Sequence, residues 1–334
     1  MPRVLRLTIA ALAALLLTQC AFRPPASRTA SPRGMKLASL GYEPLQLQKS
    51  SGDSRYSGKF KVNGKGVHFL IDSGANSTDL DYELATSFGI KPEKSVKVIS
   101  RGALGRPVTS WVGLGALGAG YVTATPFPFM LAPHSDRHTA TSRYDGQMGL
   151  DALTGLAALV DLQTGQLWIP GPRAKNARRG DIQALGRREG LGFDSLRLRR
   201  AGRLPHLLVE CMYAGHRLTW VVDTGAEVTV MASQSVERLG IRTMASRSKI
   251  IDASGDRASV RTAVLHNVVF GQLVVSEFQV AATPLATIRR TFRDRFNRPV
   301  DGIIGMDFLE ESSALLDAAS KILYVGDPPR SRLN

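Results

Sequence analysis

The chain has 334 residues, 43% of them hydrophobic, which is enough for a sizeable core and favours two domains over one. A formal net charge of +15 raises nucleic acid as a partner, but no helix-turn-helix, zinc-finger or RNA-binding signature accompanies it, and the aromatics are not interleaved with the arginines. Two cysteines exclude a disulfide-dense scaffold, and six scattered histidines without H-E-x-x-H spacing give no metal site.

Arg3 and Arg6 precede the apolar run 7–17, which is too short for a membrane span and carries the flank of a secretory leader. Leu17-Thr18-Gln19-Cys20 resembles a bacterial lipoprotein processing site, making Cys20 the candidate lipid acceptor and residues 1–20 the leader. An exported protein is expected, periplasmic or held on a membrane of the bacterial envelope. Residues 21–50 are rich in Pro, Ser and Ala and read as a flexible tether.

A first lobe is expected over 51–172. It opens with a strand–turn–strand pattern at 56–71 around Asn63-Gly64, and the second strand runs into Asp72-Ser73-Gly74-Ala75. A helix-like stretch follows at 82–90, with Gly89 suited to a left-handed helix end. Residues 96–111 read as a hairpin with its tip at Arg101 to Arg106, and the glycine-rich 113–121 as a wide turn between strands. Then come Asp145-Gly-Gln-Met-Gly-Leu-Asp-Ala-Leu153 and a strand carrying Asp161.

Arginine-rich residues 173–203 read as a basic linker, and a second basic cluster spans Arg289 to Arg298. Two readings of this charge stay open: attraction to an anionic membrane surface, or a solvated surface with no partner. From 204 to 330 the first lobe is repeated. Asp223-Thr224-Gly225-Ala226 answers the turn at Asp72, 151 residues earlier; Gly240 answers Gly89; the hairpin at 249–264, with Asp252 to Arg257 at its tip, answers 96–111; and Asp301-Gly-Ile-Ile-Gly-Met-Asp-Phe-Leu309 answers the block at Asp145, 156 residues earlier. His68 and His216 read as matched positions in the strands before the two turns, and Cys211 reads as a buried, inert thiol.

Two copies of apolar-apolar-Asp-[Thr/Ser]-Gly-Ala, each followed by apolar-apolar-Gly before a short helix, resemble the aspartic peptidases. The closer likeness is to their retropepsin-like bacterial branch, with Ser73, Asn76 and Gln147-Met148 departing from its usual residues. The resemblance implies an all-β, two-lobed, internally duplicated pepsin/retropepsin-like barrel fold. Asp72 and Asp223 would be the catalytic pair, Ser73 and Thr224 would hydrogen-bond across to the opposite turn, and Gly74 and Gly225 would let amides approach the carboxyls. The hairpins would be flaps, with Gly102, Gly105, Ser254 and Gly255 on the substrate.

Two carboxylates forced together share a proton, so one acts as base and the other as acid, which suits hydrolysis of an amide by water. The expected activity is that of an aspartic endopeptidase acting on extended polypeptide, needing no cofactor and complete in one chain. A non-catalytic peptide clamp on the same fold is the alternative. A paired-carboxylate glycosidase has only the presence of two acids to recommend it.

Overall fold

The computed structural model describes residues 4–5, 31–133, 143–176, 193–201, 204–252, 254–297 and 299–326. Cys20, most of the leader, His134, His138 and residues 177–192 of the basic stretch lie outside the described residues.

Ser31 caps helix α1 (Pro32–Ser39), its hydroxyl accepting from the Gly34 amide at 2.9 Å, with Pro32 at the start, where a missing N–H costs nothing. Strand β1 (Tyr42–Gln46) follows. The first lobe comprises β2 (Ser57–Val62), β3 (Lys65–Ile71), β4 (Asp79–Asp81), α2 (Tyr82–Ser87), β5 (Pro92–Arg101), β6 (Pro107–Ala119), β7 (Val122–Ala132), β8 (Gly146–Met148) and α3 (Leu150–Gly155). Alternation places Phe60 and Val62 of β2 inside and Lys59 and Lys61 outside. Pairing runs β2-β3-β8-β4-β7-β6, and β6 returns to β2 at Lys61↔Gly118 and Val62↔Leu117, closing a six-stranded barrel with β5 beside it. Of the glycines expected to form a wide turn, Gly113, Gly115 and Gly118 lie instead in β6, while Gly120 takes a left-handed conformation, φ 56°, in the tight turn that follows. A Cβ on Gly113 would come 2.5 Å from Ile90 Cγ2, so their absent side chains make room for packing across the strand.

After β9 (Leu159–Asp161), β10 (Gln166–Pro170), β11 (Phe193–Arg197) and β12 (Arg199–Ala201), the second lobe repeats the first. Its elements are β13 (Leu204–Tyr213), β14 (His216–Val222), β15 (Val230–Ala232), α4 (Ser233–Arg238), β16 (Met244–Ile251), β17 (Arg257–Phe270), β18 (Leu273–Thr283), α5 (Ala286–Phe296), β19 (Gly302–Ile304) and α6 (Met306–Glu311). The ring β13-β14-β19-β15-β18-β17 closes on β13 at Met212↔Val269, with β16 outside it as β5 is in the first lobe. The fold is thus mostly β and built as two similar closed barrels. Cys211 is buried and takes a hydrogen bond from the Trp220 indole at 3.2 Å.

A third sheet joins the lobes. Its order is β11-β21-β20-β9-β10-β1, where β20 is Leu315–Asp317 and β21 is Ile322–Gly326. At its centre β9 and β20, the same segment of each copy, run antiparallel with Leu159 opposite Asp317 and Asp161 opposite Leu315. Two sequence expectations change here. Of the expected tether, residues 31–50 hold α1 and β1, and Arg33 is buried, donating to Asp161 Oδ1 at 2.6 Å and to the Ser313 carbonyl at 2.9 Å. Of the expected linker, β11 is an edge strand of the joining sheet. Arg289, placed in the second basic cluster, is 8% exposed and holds Ser235 Oγ and the Val300 carbonyl, each at 2.7 Å.

Candidate active site

Each Asp turn leaves a barrel strand that a parallel neighbour pins from behind. β3 pairs with β8 and β14 with β19, so the Asp72 amide donates to the Met148 carbonyl and the Asp223 amide to the Ile304 carbonyl, both at 3.0 Å. The next residues lock the return path: the Leu150 amide reaches the Ala75 carbonyl at 2.9 Å, and the Met306 amide reaches the Ala226 carbonyl at 2.8 Å. Gly149 and Gly305 sit where a Cβ would strike the backbone of Ser77 and Val228, 2.6 and 2.5 Å away. Thr78 Oγ1 donates to Asp151 at 2.7 Å and Thr229 Oγ1 to Asp307 at 2.6 Å, so these second acids brace the turns. Asp145 and Asp301 do likewise, accepting from the amides of His68 and Thr219. His68 is therefore matched with Thr219 and not with the exposed His216.

The two turns interlock. The Ser73 hydroxyl donates to the Val222 carbonyl at 2.9 Å and accepts from the Thr224 amide at 3.0 Å; the Thr224 hydroxyl donates to the Ile71 carbonyl at 2.8 Å and accepts from the Ser73 amide at 2.9 Å. Both side chains are buried, so these four bonds fix the lobes' separation beneath the carboxyls. Gly74 and Gly225 donate from their amides to Asp72 and Asp223 of their own turns, each at 2.8 Å. A Cβ on either glycine would fall on the carboxyl of the opposite turn, so only glycine permits the approach.

The carboxyls of Asp72 and Asp223 are hydrogen-bonded to each other. Burial, then the charge of Asp223 and that hydrogen bond, push the Asp72 carboxyl well above the usual carboxylate range. Burial raises Asp223 as well, but the Gly225 amide, Asp72, the Ala226 amide and the Arg55 charge oppose it. Two like acids so close share one proton between them, and the Arg55 charge favours the charged form of Asp223.

Sequence reading missed what breaks the symmetry. Arg55 lies near the second turn, 3.5 Å from the Gly225 carbonyl and 3.6 Å from Glu227, and is held by Asp53. The residue 151 positions later is His206, which lies against Gly74 and which burial pushes down to about 4, so it stays neutral. The repeat offset would have pointed to both.

Above the dyad a cleft of about 1990 Å³ is lined by both lobes, including Val98, Val108 and Met130 from the first and Val228, Val230 and Phe308 from the second. It exceeds the roughly 300–1,000 Å³ of small-molecule pockets. Gly102 and Ser254 line it; Gly105 and Gly255, expected on the substrate, do not, and serve as left-handed turn residues with φ of 119° and 86°. Ser254 is only 2% exposed, because the two hairpin tips meet each other. The Leu104 amide donates to Asp252 Oδ2 at 2.8 Å and the Arg106 amide to Asp256 Oδ2 at 3.1 Å, so the second tip, which could have been a solvated turn, is a partner of the first.

The sequence profile described as aspartyl protease matches residues 58–152 and again 209–308. Among curated relatives, the mouse protein named Protein DDI1 homolog 2 is 24% identical over 125 residues, 37% of this chain and 29% of the relative. Human Protein DDI1 homolog 1 is 25% identical over 125 residues, with 37% and 29% covered. The match thus spans under a third of these relatives' length.

Proposed function

Because the chain belongs to the aspartyl protease family, we propose that it is an aspartic endopeptidase whose dyad is Asp72 and Asp223, acting on extended polypeptide. The observation that carries this reading is the pair of buried carboxyls, each set against the glycine of the opposite turn, at the floor of a long cleft.

In the first step the Asp223 carboxylate takes a proton from water as the water oxygen bonds the scissile carbonyl carbon, and the carbonyl oxygen takes the proton of Asp72. In the second step the C–N bond breaks, the nitrogen receives the proton held by Asp223, and a hydroxyl of the tetrahedral carbon returns a proton to Asp72. The dyad ends as it began, with no covalent intermediate. The leader-like N-terminus supports action on unfolded or loosely folded proteins of a bacterial envelope, with Cys20 as its lipid anchor and the basic surface assisting.

The test is to incubate the purified chain with a denatured protein mixture at several pH values and to sequence the products. Internal cleavage is expected at acidic to mildly acidic pH, fading toward alkaline pH as Asp72 loses its proton. Asp72→Asn and Asp223→Asn should each lower the rate by roughly 10²–10⁴-fold while the thermal melt persists. Undiminished cleavage in either variant would sink the dyad. A dipeptide should remain intact under conditions that cleave a peptide of about eight residues, because remote contacts supply the binding energy.

A further inference from the structure

The two barrels treat one sheet edge differently. In each, a long strand, β7 or β18, is met by the short strand β4 or β15 only near its C-terminal end, where the Met130 amide donates to the Thr78 carbonyl and the Ala281 amide to the Thr229 carbonyl, both at 2.9 Å. Amides facing one side recur at every second residue of a strand, so the next two along this edge belong to residues 128 and 126 in β7 and to 279 and 277 in β18. In β7 these are Pro128 and Pro126, which have no N–H to offer another strand. In β18 they are Gln279 and Glu277, which keep theirs.

A strand already lies on the open edge. Val4 and Leu5 pair in parallel with Val274 and Val275, in the same sense as β15 pairs farther along, while β17 covers the opposite edge. From there to Ala281 the edge runs past Glu277 and Gln279, and both line the cleft that holds the dyad. Helix α6 packs on β18 through Phe308 against Phe278, ring centroids 5.3 Å apart, and brings Asp307 and Glu311 to the same cleft. Burial, then the charge of Asp307 one helical turn away, push the Glu311 carboxyl up, a state that a cation would relieve. A chain of net charge +15 thus sets three acids along this groove, and the strand seated at its end, Val4-Leu5, has Arg3 and Arg6 as its neighbours in sequence.

We propose that the edge of β18 at residues 274–279 is a second binding site, set apart from the dyad, which takes an extended segment of the polypeptide substrate as an added parallel strand and favours aliphatic residues flanked by arginine or lysine. The inference rests on the peptidase reading above and adds to it a place where substrate is held away from the bond that is cut. Val4-Leu5 marks how a strand sits there, and a substrate segment takes its place. The strand's backbone supplies the bonds, and Glu277 with the α6 acids selects its charge. The matching edge of the first lobe, closed by Pro126 and Pro128, takes no such strand.

Two readouts separate the edge from the chemistry. The probe is a fluorescent peptide with the sequence of residues 2–8, followed by anisotropy on the full chain carrying Asp72→Asn, so that the probe is not cut, and Val4→Pro with Leu5→Pro, so that the chain's own segment cannot add as a strand. Saturable binding is expected, roughly tenfold or more tighter than that of the same peptide with glutamates for its arginines, and weaker when Val4 and Leu5 are kept. Glu277→Pro with Gln279→Pro, which copies the first lobe's edge into the second, should weaken binding by roughly tenfold or more while the thermal melt persists. Glu277→Gln with Glu311→Gln, which keeps the amides, should erase the preference for arginine over glutamate. Absence of binding, affinity unmoved by the paired prolines, or a charge preference unmoved by the paired glutamines would overturn the proposal. So would displacement of the probe by an uncleavable eight-residue peptide with a reduced central bond, since that would place the probe at the dyad. With Asp72 restored, linking the segment flexibly to a cleavable peptide should lower KM by roughly tenfold or more, and the paired prolines should remove that gain. Edge-dependent binding without hydrolysis of any peptide would support the strand site and defeat the peptidase reading instead.

Discussion

The two copies of the repeat agree where they face each other at the floor of the cleft and disagree beside and above it. Beneath the carboxyls, Ser73 and Thr224 make the same two bonds in opposite directions, each to the partner copy's backbone. Beside the carboxyls the equivalents are a buried cation and a neutral imidazole, Arg55 and His206, and above them the hairpin tips offer a leucine and a serine, Leu104 and Ser254. A dyad needs two like acids in like geometry, so its support must be alike; which acid keeps the proton, and which hairpin tip accepts the other's amides, needs a difference.

The largest test of that contrast lies outside the dyad. Asp161 and Asp317 are equivalent, buried acids; Asp161 takes the Arg33 guanidinium, and Asp317 accepts from the Ser320 amide. Arg33→Ala should cost about 3–5 kcal/mol in denaturant unfolding, because it strands a buried carboxylate. Asp317→Asn should cost less, since Asn retains the acceptor used by the Ser320 amide. Equal losses would show that the N-terminal helix does not clasp the lobes.

At the floor the copies should instead respond alike. Gly74→Ala and Gly225→Ala each drive a methyl into the opposite carboxyl, and each should lower kcat by about 10²-fold through misplacement of the reacting groups. A tolerated alanine at either position would mean that the carboxyls do not need this approach.

The pH profile should then separate the copies. Arg55 opposes the rise in the Asp223 carboxyl, and the acid limb of kcat/KM requires Asp223 ionised. Arg55→Ala raises Asp223 further, so that limb should move to higher pH. His206→Ala removes a neutral group and should leave that limb where it is. Movement of the limb by both variants, or by neither, would remove Arg55 as the source of the asymmetry.

The smallest expected effect is in two matched hairpin turns. Asn63 takes a left-handed conformation at φ 49° and uses its amide to bind the Phe88 carbonyl and the Ala116 amide; Ala214 holds φ 47° with no such compensation. Ala214→Asn should therefore stabilise the fold by about 1 kcal/mol, visible as a higher unfolding midpoint.

Much of this was legible in sequence because it is local or repeated. The Asp turns, Gly89 and Gly240 in left-handed backbone, and the paired apolar-apolar-Gly segments follow from short motifs that recur at one spacing. Arg33 was not legible: a Pro-, Ser- and Arg-containing stretch has the composition of a tether, and the acid that draws the guanidinium inside is 128 residues away. The docking of the hairpin tips was hidden for the same reason, since the Leu104 amide meets its carboxylate across 148 residues. His206 stood in an apolar strand among residues with no chemistry of their own, and only its alignment with Arg55 gives it a place.

The sheet that joins the lobes has a consequence for how the protein behaves at low abundance. Its strands alternate ownership only once, at β9 and β20, and the same polypeptide supplies both sides. An assembly of two separate half-sites falls apart on dilution, and its output per molecule falls with it. Covalent continuity holds the halves at an effective concentration on the order of millimolar, so output per molecule should stay level as the protein becomes scarce.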